Sequence, residues 1–220
     1  MTEKADPIEK TYPNKKIYPI KKTCPIEKTC SIEKSYLREK IGGWKTKTST
    51  IAYENPWLKI MHEEVVTPKG TDGIYGVVHF KNIAIGVVPI DDEGNTWLVK
   101  QSRYTLNQYT WEIPEGGCPH GEEPLDAAKR ELEEEVGLQA NDWQQLMTMH
   151  LSNSVTDEFC VVFIARGLFA GTQALEPTED IEYKKLPLTE AIDMVQRGDI
   201  TDAISVAALL RIAVSFNAEF

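Results

Sequence analysis

Residues 116–138 read GGCPHGEEPLDAAKRELEEEVGL, and this stretch decides how the rest of the chain is understood. From Pro124 to Val136 it predicts a helix. Proline suits a first helical turn, where its missing N–H has no intrahelical partner to lose. Glu122, Glu123 and Asp126 place negative charge at the positive end of the helix dipole. Leu125, Ala128 and Leu132 recur at i, i+3 and i+7 and form an apolar stripe for burial. Gly137 followed by Leu138 reads as a helix stop with its hydrophobic contact.

On that helix Glu131, Glu134 and Glu135 share one face, at i, i+3 and i+4. Carboxylates placed so close repel one another, and a bound divalent cation turns the repulsion into chelation. An all-oxygen donor set suits Mg²⁺ or Mn²⁺, which usually also take phosphate oxygens from a substrate. Arg130, four residues before Glu134, can hold carboxylates in position. Upstream, Trp111-Glu112-Ile113-Pro114-Glu115-Gly116-Gly117 reads as a strand end running into a glycine loop, which lets backbone groups approach a ligand closely.

Working outward, Thr46–Tyr53, Leu58–Val66, Gly73–Phe80 and Asn82–Val88 read as strands rich in β-branched and aromatic residues. Turn signals separate them at Glu54-Asn55-Pro56 and Pro68-Lys69-Gly70. Asp91 to Asn95 reads as a turn leading into a strand over Thr96–Gln101. Trp143–Leu151 and Glu158–Arg166 read as another pair, and Ile181–Leu186 as a last strand. Leu188–Arg197 and Thr201–Phe216 are amphipathic helical patterns. This order of strands and helices makes the chain a mixed α/β protein, with an antiparallel strand region at its N-terminal end.

The 220 residues carry a formal net charge of −10, which argues against binding a nucleic-acid backbone. The charge is uneven: residues 1–40 hold ten Lys and Arg against six Asp and Glu. That basic arm contains five successive hexads, PIEKTY, PNKKIY, PIKKTC, PIEKTC and SIEKSY, at residues 7–36. Proline opens the first four hexads, which disfavours a long helix or a central strand. Residues 1–43 are therefore expected to be a disordered or extended low-complexity tail. Residues 44–220 are expected to be the folded domain. No apolar run reaches membrane-spanning length, and the first residues lack the apolar stretch of a signal peptide. Cys24, Cys30, Cys118 and Cys160 show no zinc-like spacing, so a reduced cytoplasm is the expected location.

The pattern Gly116, five residues, Glu122, seven residues, then Arg130-Glu131-Leu132-Glu133-Glu134-Glu135-Val136-Gly137 is similar to the Nudix box, the signature of the Nudix hydrolases. Seven positions are pinned by residue type, and a chance match in a chain this long is on the order of one in a million. A run of acidic residues alone is usually a solvated helix face. Gly116 and Glu122 in register with the run argue against that reading here. The resemblance implies a Nudix fold, an α/β/α sandwich around a mixed sheet. It also implies that the residue at Glu115 presents its main-chain carbonyl to a metal, beside the metal-ligand carboxylates Glu131, Glu134 and Glu135.

Three further stretches resemble the ADP-ribose and nucleoside diphosphate sugar pyrophosphatase branch: Gly73 to Val78, Trp97 to Tyr104, and Trp111 to Gly117. That resemblance implies hydrolysis of a nucleoside diphosphate sugar to a nucleoside monophosphate and a sugar phosphate, with Mg²⁺ as the cofactor and Mn²⁺ as a substitute. It implies a homodimer built partly from N-terminal strands, here residues 44–80, ahead of a catalytic core at 81–220. Arg103 falls where the branch contacts the diphosphate, and Glu112 where a glutamate lies near substrate and metals. The residues implied for catalysis are Glu179 as base, with Glu134, and with Arg130 and Glu122 orienting the ligand helix. The base comes from a loop ahead of the last strand, so Glu176 and Glu182 stay open beside Glu179. One departure concerns Ser152 to Glu158, which keeps a Thr-Asp-Glu ending and lacks the branch's proline. This leaves the preferred sugar and base open. The alternatives are a Nudix-fold sensor that binds without cleaving, and a hydrolase of another X-linked nucleoside diphosphate. His120 reads as a solvated loop residue and His150 as a strand residue. No nucleic-acid or membrane partner is expected.

Overall fold

The computed structural model describes residues 38–175 and 180–217, and every absence stated below concerns those residues. Strands β1 (Arg38–Glu39), β2 (Lys45–Glu54), β3 (Leu58–Val66) and β4 (Asp72–Phe80) form an antiparallel sheet in chain order. Two short turns set its register. The Asn55 carboxamide oxygen accepts the N–H groups of Trp57 and Leu58 at 2.9 and 2.8 Å, a side chain imitating a backbone turn. Gly70 sits at φ +82° in the turn before β4, a conformation that favours glycine. Upstream of Trp44, β1 pairs with β2, and the Lys40 ammonium reaches Glu63 at 2.7 Å.

The second sheet has the order β8-β5-β10-β9 and is mixed. It comprises β5 (Asn82–Pro89), β8 (Glu115–Pro119), β9 (Leu138–His150) and β10 (Phe159–Ala170). β5 and β10 run parallel, while β8 and β9 pair antiparallel on the outside. A third, antiparallel sheet has the order β11-β6-β7. Its members are β6 (Asn95–Arg103), β7 (Gln108–Glu112) and β11 (Glu182–Pro187).

Residue alternation along β10 explains the layering. Val161, Phe163 and Ala165 are buried with Ala127, Ala128, Leu132 and Val136 of helix α1 (Pro124–Val136). Cys160, Val162 and Ile164 are buried on the other side, with Met194 of α2 (Leu188–Arg197) and with Ile204, Ala208, Leu209 and Ile212 of α3 (Ala203–Asn217). A strand apolar at every position is what two covered faces require. The result is the α/β/α sandwich expected from the sequence.

The bounds of α1 and α2 match the sequence reading, and Gly137 closes α1 at φ +69°. Two expectations are corrected. Gly116 and Gly117 lie in strand β8, paired with Ile85 and Ala84 of β5, and not in a glycine loop. The glycines serve side-chain packing, described below, inside a regular ladder. Strand β9 begins at Leu138, not Trp143, because Leu138 to Asp142 pair with Ala170 to Arg166 of β10. The polar run Gln139 to Asp142 carries no strand signature, and long-range backbone bonding overrides it.

Candidate active site

Helix α1 begins without a side-chain cap and carries Pro124 in its first turn. Its apolar stripe seats it on the mixed sheet, which fixes the rotation of its carboxylates. Glu131 and Glu135 are buried, and Glu134 is partly exposed. Arg130 is the hub. Its Nη1 donates to Glu131 at 2.7 Å and to Glu134 at 3.0 Å. Its Nη2 donates to Glu122 at 3.2 Å and to the Gly117 carbonyl at 2.8 Å, and its Nε to Glu122 at 3.3 Å. Burial opposes the charge on Arg130, but Glu122, Glu131 and Glu134 outweigh it and raise its pKa. One guanidinium therefore gathers three carboxylates that would otherwise repel.

Gly116 faces this helix. A Cβ there would lie 1.9 Å from the Glu131 carboxyl carbon, so the carboxyl occupies the space of the missing side chain. Next to it, the Glu115 N–H donates to Glu135 Oε2 at 3.0 Å. Strand β8 thus meets the carboxylate face of α1 with main chain on one side and an empty Cβ position on the other.

The outer side of Glu115 faces a cavity of about 380 Å³ whose lining includes Arg103, Glu115, Gly116, Leu151, Glu158 and Asp202. Arg103 forms a two-pronged ion pair with Glu112, its Nε donating at 2.9 Å and its Nη2 lying against the second oxygen. Glu112 is buried and also accepts from Gln101 at 3.2 Å and Thr110 at 2.5 Å. Arg103 Nη2 reaches toward Glu115 Oε2 at 3.9 Å. Burial pushes the Glu115 carboxyl well above the usual carboxylate range, and the adjacent Asp202 adds to the shift. Burial also raises the Glu158 carboxyl, helped by Asp202 and Asp157. The Cys160 thiol is pushed up to about 12 by burial and then by Glu115, Asp202 and Glu158, so it stays a neutral core group.

The structure brings Glu115, Glu122, Arg130, Glu131, Glu134 and Glu135 together at the β8–α1 junction, with Arg103 and Glu112 beside the cavity. Glu182 starts β11 and sits 3.6 Å from the Lys100 ammonium. Glu176 and Glu179, and the hexads of the N-terminal arm, lie outside the described residues. His120 is exposed in the loop before α1, and His150 ends β9. Sequence reasoning missed Asp202 and Ser205. The signal was present: Thr201-Asp202 precedes an apolar helical pattern, an N-cap position. Nothing local tied it to residues ninety positions upstream.

Among the described residues no three His, Cys, Asp or Glu side chains converge on a single point suited to a metal. The donor set still fits a hard divalent cation. It is all oxygen and carries three carboxylates on one helix face, and the missing Cβ of Gly116 lets the Glu131 carboxylate lie directly against the β8 main chain.

A sandwich of this kind, with a glycine strand laid against a helix of box carboxylates, defines a Nudix domain. The family model of that domain matches residues 80–209, and the chain belongs to the Nudix hydrolase family. Residues 44–78 match the model of the nucleoside diphosphate sugar hydrolase N-terminal domain. The chain is 37% identical over 139 residues to an ADP-ribose pyrophosphatase of Mycobacterium tuberculosis, covering 62% of this chain and 66% of that one. It is 33% identical over 167 residues to an ADP-ribose pyrophosphatase of Bacillus subtilis, covering 75% and 90%. A crystal structure of an ADP compounds hydrolase shares the fold, with a TM-score of 0.73 at 20% identity over 83% of this chain and 98% of that one. No described helix is long and apolar enough to cross a membrane.

Proposed function

We propose that the protein hydrolyses the diphosphate bond of a nucleoside diphosphate sugar of the ADP-ribose type. The observation that carries the reading is the junction of β8 and α1. There Arg130 gathers Glu122, Glu131 and Glu134, and the Glu115 N–H meets Glu135, next to a cavity that Arg103 borders. The two ADP-ribose pyrophosphatases among the relatives support the substrate class.

In this reading Glu131, Glu134, Glu135 and the Glu115 carbonyl hold Mg²⁺, or Mn²⁺ in its place. When bound, the ion neutralises charge on the diphosphate and lowers the pKa of the attacking water. Arg103 holds the diphosphate through charge-assisted hydrogen bonds. Glu112 acts through Arg103, fixing the guanidinium at the cavity edge. Glu122 and Arg130 orient the carboxylates of α1. The water oxygen bonds to one phosphorus, its proton passes to Glu179, and the bridging P–O bond breaks. A nucleoside monophosphate and a sugar phosphate leave. The N-terminal sheet, with Ile51, Tyr53 and Ile74 exposed, makes the contact of a homodimer.

A panel of ADP-ribose, GDP-mannose, ADP-glucose and UDP-glucose with Mg²⁺ tests the reading. The expected result is release of a monophosphate that alkaline phosphatase converts to orthophosphate, from at least one member. Tight binding of a panel member without release favours a sensor instead.

A further inference from the structure

The first turn of α3 reaches the β8–α1 junction from the opposite face of the sheet. Ser205 is fully buried, and its hydroxyl is used in both directions. It accepts the Ile113 N–H at 2.9 Å and donates to Glu115 Oε1 at 2.8 Å. The Ser205 N–H is in turn held by Asp202 Oδ2 at 2.8 Å, so the N-cap of the helix fixes the hydroxyl's place. The neighbouring Ile204 packs so closely on β5 that a Cβ at Gly86 would lie 2.8 Å from it. This turn therefore has little room to shift. The chain of contacts runs from Asp202 to Ser205, to both ends of Ile113-Pro114-Glu115, and through the Glu115 N–H to Glu135.

We propose that Ser205 is a positioning residue that sets the Glu115 main chain against the carboxylate face of α1, acting through the Glu115 side chain. The inference rests on the proposed hydrolase reading for its consequence in turnover, and on the proposed cation ligands Glu131, Glu134, Glu135 and the Glu115 carbonyl for its consequence in cation binding. Glu115 is the point where the two faces of the sheet meet. Its backbone faces α1, while its carboxyl is held by α3. A buried hydroxyl that satisfies one main-chain donor and one carboxyl oxygen fixes both the height and the rotation of that residue. Groups of this kind, one contact removed from a ligand set, typically change cation affinity or activity by about 10–100-fold when lost.

The test is Mn²⁺ binding to the metal-free protein, followed by electron paramagnetic resonance, beside steady-state hydrolysis of ADP-ribose with Mg²⁺. Ser205→Ala is expected to weaken Mn²⁺ binding about tenfold and lower kcat by a similar factor, with KM for ADP-ribose little changed. Ile204→Val, in the same turn, should lower Tm and leave Mn²⁺ affinity as in the wild type. Glu115→Ala keeps the main chain and removes the contact from its other end, so it should reproduce the Mn²⁺ loss. The double variant should be no weaker than either single one. Wild-type Mn²⁺ affinity in folded Ser205→Ala overturns the proposal, and so does wild-type affinity in Glu115→Ala should Ser205→Ala fail to fold. A wild type that binds Mn²⁺ and cleaves no nucleoside diphosphate sugar refutes the hydrolase reading and leaves the Mn²⁺ comparison intact. A wild type that binds no Mn²⁺ overturns both.

Discussion

The space that a side chain at position 116 would fill belongs to the Glu131 carboxyl. Gly116→Ala therefore forces that carboxylate aside. The obstructing group is the end of a flexible side chain, so the fold should survive. A displacement of about 1 Å in a positioned group reduces turnover by roughly 10²-fold. We expect an unchanged circular dichroism spectrum with a kcat reduced on that scale. Turnover close to wild type would mean that Glu131 is not held where the reaction needs it. The base is a second question at this scale. Glu179→Gln should lower kcat by roughly two to four orders of magnitude with little change in KM. Glu176→Gln and Glu182→Gln should be milder, and the order of the three variants assigns the base. Glu182 already faces the Lys100 ammonium at 3.6 Å, which supports its milder ranking.

Among the elements, the turn between β5 and β6 shows how a few bonds place a whole strand. Asp91 Oδ1 accepts the N–H groups of Glu93 and Asn95 at 3.1 and 2.7 Å. Its other oxygen pairs with the Lys185 ammonium of β11 at 2.6 Å. Burial pushes the Asp91 carboxyl upward, but Lys185 and Asn95 outweigh it and hold it below the usual carboxylate range. A carboxyl depressed in the folded state stabilises above its unfolded pKa of about 3.9. That contribution fades as pH falls below this value toward the folded pKa. Asp91→Ala should lower the unfolding free energy by about 1–3 kcal/mol at pH 7, since two turn N–H groups lose their acceptor. The difference from wild type should shrink in urea titrations below pH 4. A pH-independent difference would assign the effect to the turn geometry and remove the ionic part.

For the whole molecule, the N-terminal sheet carries exposed Ile51, Tyr53 and Ile74, with exposed Trp57 in the turn between β2 and β3 and Ile74 at 72% of its full exposure. Apolar residues at this density on one sheet favour burial against another copy. Ile51→Arg is expected to shift a dimer to a monomer in sedimentation velocity, while a wild type that sediments as a monomer removes the dimer proposal. The hexads lie outside the described residues, and the arm is proposed to add little to stability or turnover. Removing residues 1–37, which keeps the Lys40–Glu63 pair, should leave Tm and kcat almost unchanged. A large fall in either would show that the hexads pack on the domain or the dimer.

What the sequence determined by itself was local and periodic. Pro124, the stripe of Leu125, Ala128 and Leu132, and Gly137 fixed α1 to its observed ends. Runs of β-branched residues located most strands. The spacing of Glu131, Glu134 and Glu135 put them on one face because 3.6 residues make a turn whatever lies around it. Tertiary structure alone decided which distant groups meet. Strand β8 exists because β5 offers it backbone partners, and its two glycines, read locally, suggested a loop. Arg103 is pinned by Glu112 only once β6 and β7 pair. Ser205 reaches Glu115 only because α3 packs across β5. Such contacts depend on the packing of elements far apart along the chain, and that separation leaves no trace in local pattern.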